Sequence, residues 1–167
     1  NKWHQHRISK LIVKKLFGTV TGKKISILGF AFKANTNDTR ESAAITICKD
    51  LIEEGALLSI HDPKVDKNQI EKDLGIISIS TCENKLEDES FKNKGGWTYA
   101  TSANASLTGA DASIILTEWK EYENIDWHMA NKIMRSPSWI FDARSILIPK
   151  KVRDAGLNLW RIGDGSN

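Results

Sequence analysis

At 167 residues, with 40% apolar and 27% charged side chains, the chain has the size and balance of one sizeable globular domain. No window approaches the roughly 18 unbroken apolar residues of a membrane span, and the basic start NKWHQHRISK lacks the apolar core of a secretory signal. The net charge is only +3, yet residues 1–37 hold eight Lys or Arg and no Asp or Glu.

That basic stretch is either a solvated helix face or a neighbourhood that attracts an anionic ligand. No helix-turn-helix, zinc-finger spacing or RNP-like motif accompanies it, so neither a nucleic-acid nor a membrane partner is expected. Cys48 and Cys82 stand far apart, without a CxxC or paired-His spacing. This argues against a disulfide framework or a metal site and fits a reducing cytoplasm. Cys48 falls within a helical pattern as a small core residue.

Taken in order, residues 4–17 place Ile8, Leu11, Ile12 and Leu16 at helical spacing. This amphipathic helix needs a partner surface, and its uncapped start suggests a piece of a longer polypeptide. A strand follows from Lys24 to Phe30, then a helix from about Ser42 to Glu54 that stops at Gly55. The second strand is Leu57 to Ile60, ending at His61-Asp62-Pro63. Asp62 stands where a dinucleotide-binding unit would hold a ribose, but it suits the Pro63 turn equally well. A short helix covers Lys67 to Leu74. Residues 75–96 are polar and irregular, with a third strand expected near Ile76 to Ser80.

Beyond these, a weak helix leads to a fourth strand, Ala112 to Thr117, and a helix runs from Ile125 to Met134. The fifth strand is Trp139 to Phe141, followed by a helix from Pro149 to Ala155 and a sixth strand from Leu159 to Ile162. Short β-branched strands alternating with helices predict an α/β, Rossmann-like doubly wound sheet, mainly parallel and flanked by helices, with an N-terminal helix extension. Right-handed crossovers would gather the loops Phe32–Arg40, His61–Lys64, Thr117–Trp119 and Asp142–Arg144 on one edge.

The segment from Lys24 to Ala44 organises this plan. Its strand opens into a polar loop holding Lys33, Asp38 and Arg40 before a helix begins, the place where open α/β sheets bind ligands. Gly29 stands alone there, so the G-x-G-x-x-G that lets backbone approach a pyrophosphate is missing, and no Walker lysine loop exists. A phosphate held here must be met by side chains: Lys33 and Arg40 in the first loop, Arg144 in the last. Surface salt bridging, for example of Arg40 with Asp38 or Glu41, is the competing role for these cations.

The motif GFAFKANTNDTRES, from Gly29 to Ser42, resembles the signature of the UDP-glucose 6-dehydrogenase family at the start of its C-terminal UDP-binding domain. The lead-in KKLFGTVTGKKISILGFAFK, then IHDPKV, ILTEW at 115–119 and IFDAR at 140–144 resemble the same family in its order and spacing. The related GDP-mannose and UDP-N-acetylmannosamine dehydrogenases share the architecture, and NTNDTRES and TEW favour the UDP-glucose enzymes.

The resemblance implies a parent enzyme that oxidises UDP-glucose to UDP-glucuronate with two NAD, working as a homodimer or higher oligomer. It implies that residues 1–22 are the end of a central dimerisation helix with a loop, and that residues 23–167 are the UDP-binding domain. Carried over residue by residue, Phe32, Lys33 and Arg144 match substrate-binding positions. Arg40 matches a residue reaching the pyrophosphate of NAD, and Asp38 is expected to orient it. Trp119 is read as a packing residue. The family's catalytic cysteine and NAD-binding glycines belong to segments outside these residues, so no catalytic residue is expected here and the chain alone should not turn over substrate. A non-catalytic module whose basic helix docks an acidic partner is the competing class.

Overall fold

The computed structural model describes residues 2–79 and 94–164. In chain order these form α1 (Lys2–Lys15), β1 (Lys24–Leu28), α2 (Ala43–Glu53), β2 (Leu57–His61), α3 (Lys67–Leu74) and β3 (Gly96–Tyr99). Then come α4 (Ala103–Leu107), β4 (Ala112–Ile115), α5 (Lys120–Glu123), α6 (Trp127–Ile133), β5 (Trp139–Asp142), α7 (Pro149–Asp154) and β6 (Asn158–Arg161). The six strands lie in the order β3-β2-β1-β4-β5-β6, and every pairing is parallel. The expected doubly wound α/β sheet is therefore the observed one.

A parallel sheet covered on both faces demands strands that are apolar throughout. Ile25, Ile27, Leu28, Ile114, Ile115, Ile140 and Phe141 meet that demand and are fully buried. The steps β1–α2–β2–α3–β3 move one way along the sheet, and α4 carries the chain back past β1 to β4. Right-handed crossovers then put α2 and α3 on one face and α4 and α6 on the other. The reversal falls between β1 and β4, so the crevice outside their carboxyl ends is the topological switch point. Among the described residues, no helix is long and apolar enough to cross a membrane.

One expectation needs correction, and it concerns the third strand. The described part of the stretch expected to form it, residues 76–79, contains no strand, and Ile77 is 77% exposed. The strand is Gly96–Tyr99, in register with β2 from Leu57↔Gly96 to Ile60↔Tyr99. Trp97 decides the matter physically: its ring is fully buried and its Nε1–H donates to the carbonyl of Ile76 at 2.8 Å. The exposed side chain of Ile77 offers no such burial. Cys82 and the rest of that excursion lie outside the described residues.

The apolar stripe of α1, expected to need a partner surface, finds one within the chain. Ile12 and Leu16 are buried in the same cluster as Ile47 and Leu51 of α2. His6 Nδ1 lies 2.7 Å from Asp50 Oδ2 on α2. Lys23 Nζ donates to the carbonyls of Leu16 and Thr19 at 2.6 and 2.7 Å, closing the carboxyl end of α1.

Candidate functional site

The site begins where β1 ends. Gly29 has φ +98°, and a Cβ there would sit 2.4 Å from the Thr117 Cβ and Oγ1. Glycine is thus required by close approach of β1 to β4 rather than by a bound phosphate. The next turn is pinned from several sides. Ser42, the N-cap of α2, donates from Oγ to the Phe30 carbonyl at 2.7 Å and accepts from the Ala44 N–H. Phe32 N–H donates to the Asp38 carbonyl at 2.8 Å, closing residues 32–38 into a compact loop.

Asp62, at the end of β2, does most of the fastening. Its carboxylate is 2% exposed. Oδ2 accepts from Phe30 N–H at 2.8 Å, Ala31 N–H at 2.9 Å and the indole N–H of Trp119 at 3.2 Å. Oδ1 accepts from Lys64 and Val65 N–H at 2.8 and 3.0 Å. With five donors already on it, Asp62 is the turn-former and not a ribose acceptor. Trp119 is buried against it, in keeping with its packing role. Asp142 does the same at the end of β5: fully buried, it accepts from Arg144 and Leu147 N–H at 3.1 and 2.9 Å, and so shapes the loop that carries Arg144.

All three cationic residues named from sequence lie on loops at the carboxyl edge, following β1 and β5 on either side of β4. Lys33 is exposed and makes no ion pair among the described residues, and Phe32 beside it is 48% exposed. Arg40 is turned onto its own loop. Its Nε and Nη2 donate to Asp38 at 3.0 and 2.8 Å, while Nη1 keeps no partner among the described residues. The salt-bridge role considered for Arg40 is therefore real, and it leaves one edge of the fork open. Arg144 reaches across to an acid that sequence reasoning left unassigned, Glu118. The Arg144 Nη2 pairs with Glu118 Oε2, and Glu118 Oε1 accepts the Ala34 N–H at 2.9 Å. Glu118 thus links the Lys33 loop to the Arg144 loop.

Electrostatics follow the geometry. Hydrogen bonds from the Arg40 side chain, then its backbone N–H, hold the Asp38 carboxyl down to about 2. Partial burial works against ionisation of Glu118, but N–H donors from Ala34 and its own backbone, together with Arg144, bring its carboxyl below the ordinary range. Both acids are carboxylates at neutral pH. Burial alone pushes the Cys48 thiol upward, so it is an inert core residue. Beneath Asp62, burial also pushes the His61 imidazole down and the Tyr122 phenol up, leaving a neutral pair with 2.9 Å between Nδ1 and the hydroxyl.

The Asp38–Arg40 pair makes a direct prediction. A carboxyl whose folded value lies below its ordinary 3.8 favours the ordered loop above that pH and loses the effect as pH falls through about 2. Carboxyl-carbon NMR should give an Asp38 midpoint near 2, and Arg40→Ala should return it toward 3.8. An unshifted midpoint in the unsubstituted chain would mean that Asp38 does not hold Arg40 in solution.

Residues 26–149 match the model of the UDP-glucose/GDP-mannose dehydrogenase family, UDP binding domain. The chain is 40% identical over 163 residues to the UDP-glucose 6-dehydrogenase of Caenorhabditis elegans, covering 98% of this chain and 32% of that protein. It is 39% identical over 163 residues to the Drosophila melanogaster UDP-glucose 6-dehydrogenase, covering 98% of this chain and 33% of the relative. Among solved structures, a UDP-glucose dehydrogenase from the archaeon Pyrobaculum islandicum superposes with TM-score 0.63 at 27% identity, over 94% of this chain and 29% of that one. An NDP-N-acetyl-D-galactosaminuronic acid dehydrogenase from Methanosarcina mazei gives TM-score 0.70 at 20% identity, over 97% and 29%, a likeness of fold. The chain spans about a third of the length of the relatives it matches. By its family match, its relatives and its doubly wound fold, the chain belongs to the UDP-glucose/GDP-mannose dehydrogenase family and carries its UDP binding domain.

Proposed function

We propose that this chain holds the UDP portion of UDP-glucose in a cytoplasmic UDP-glucose 6-dehydrogenase, which oxidises the sugar to UDP-glucuronate with two NAD. One observation carries the reading: the switch-point edge presents Lys33, Arg40 and Arg144 on three shaped loop positions, with no glycine phosphate fingerprint beside them. A doubly charged diphosphate must then be gripped by side chains. Phe32 is the exposed aromatic neighbour of that grip.

In this reading residues 23–167 form the UDP-binding domain, and residues 1–22 the end of a helix through which the whole enzyme pairs with a second copy. The chain's own contribution is positional. Lys33 and Arg144 neutralise and orient the diphosphate, and binding energy from this remote group aligns the sugar's C6 for the reaction. Arg40 fits one contact to NAD, because its open Nη1 and exposed guanidinium suit a pyrophosphate oxygen. The remaining fit is poor, since Thr117 fills the space where a glycine-rich turn would admit a dinucleotide. NAD, when bound, supplies the hydride acceptor, and its main contacts fall to other parts of the enzyme.

Titration calorimetry of the chain with UDP tests the reading. Weak but saturable binding is expected, stronger than that of uridine, with no NAD reduction when UDP-glucose is supplied. Absence of UDP binding, or clear turnover of UDP-glucose, would overturn it.

A further inference from the structure

The triplet Thr117-Glu118-Trp119 makes three consecutive side-chain ties from the end of β4. Thr117 Oγ1 donates to the Ala31 carbonyl at 2.8 Å, and the Trp119 indole donates to Asp62. Between them Glu118, at 31% side-chain exposure, joins the Ala34 N–H to the Arg144 guanidinium. The outer two ties are structural in an ordinary sense, because each is a buried hydrogen bond, one to a backbone carbonyl and one to the buried Asp62 carboxylate. The middle one differs: its two partners belong to the two loops that would grip a diphosphate from opposite sides. A half-exposed acid beside a phosphate site would by charge alone repel the ligand, so its presence there calls for a compensating role.

We propose that Glu118 is a positioning residue for the diphosphate: it sets the separation of Lys33 and Arg144 by holding the Ala34 amide with one oxygen and the Arg144 fork with the other. The proposal rests on the UDP reading above. An arginine tethered by one edge keeps its remaining N–H groups in a fixed plane, so less rotamer entropy is lost when phosphate arrives. The same carboxylate fixes the backbone one residue after Lys33. A change at either loop is thereby transmitted to the other. Glu118 touches no ligand in this scheme and acts through Arg144 and the Ala34 amide.

The test is a double-substitution cycle on the full chain, with UDP as the titrant. Glu118→Ala should weaken UDP binding about tenfold, within the coupling found for neighbouring residues that share a network. Glu118→Gln, which retains an acceptor for Ala34 N–H without the charge, should recover part of that loss. In an Arg144→Ala background, Glu118→Ala should cost clearly less than it does in the unsubstituted chain, because the part of its effect that runs through the guanidinium is already gone. A merely structural residue would give additive losses instead, and additivity would overturn the proposal. Unchanged or tighter UDP binding in Glu118→Ala would also overturn it, the latter by showing that the acid competes with phosphate. These failures stay separable from failure of the UDP reading, in which Lys33→Ala and Arg144→Ala would themselves leave UDP binding untouched.

Discussion

Replacing Arg144 by alanine should raise the Kd for UDP by roughly thirtyfold, about 2 kcal/mol, the range for hydrogen bonds to a charged group. Two effects add in the same direction. The fork that would meet the diphosphate is lost, and the Glu118 carboxylate it pairs with is left uncompensated beside the ligand. Arg144→Lys should fall between, because an ammonium keeps the charge without the planar fork. Binding of uridine, which carries no phosphate, should change little in either variant. Calorimetry at two salt concentrations checks this, since screening weakens the charge contribution of the unsubstituted chain more than that of Arg144→Ala. An unaltered Kd for UDP in Arg144→Ala would remove the residue from the binding site.

The largest loss of stability is expected at Asp62. In Asp62→Ala the buried N–H groups of Phe30, Ala31 and Val65 and the Trp119 indole lose their shared acceptor together. Each orphaned buried donor costs about 1–3 kcal/mol, so the unfolding free energy should drop by about 4 kcal/mol or more with all four left dry. That is a large part of the 5–15 kcal/mol typical of a domain, and the variant should unfold at markedly lower urea. Asp62→Asn should also lose stability, because its amide replaces one acceptor oxygen with a donor that faces other donors. A drop below about 1 kcal/mol in Asp62→Ala would show that the five bonds are not the fastening they look to be.

These two residues show what the sequence could and could not reveal. The sheet was legible because parallel, doubly covered strands need mostly apolar runs free of charge, and Ile25–Leu28 and Ala112–Ile115 have them, interrupted only by a small serine in each. The positions of Lys33, Arg40 and Arg144 on one edge followed from that topology alone. The third strand was missed because GWTY reads as neither an apolar run nor an alternation, while the nearby IISIS reads as both. Only the tertiary burial of Trp97 settles which segment pairs with β2. Asp62 remained ambiguous because a turn acid and a ribose acceptor look alike until the donors around it are located. Glu118 escapes a reading of the sequence for a different reason. Its partners, Ala34 and Arg144, are far from it in the chain, and an acid carries no sequence mark of being a bridge.

The ties made by Thr117 and Glu118 span 86 and 84 residues of chain. Neither can form until β4 has slotted in beside β1, and contacts so distant along the polypeptide are the slow ones to make. During synthesis the segment from Ala31 to Asp38 therefore emerges well before residue 117 but takes its final shape only after three further strands have been laid down. In the proposed reading, competence for nucleotide then comes late in folding, and a chain halted before residue 117 would carry Lys33 on a loop without the means to set it.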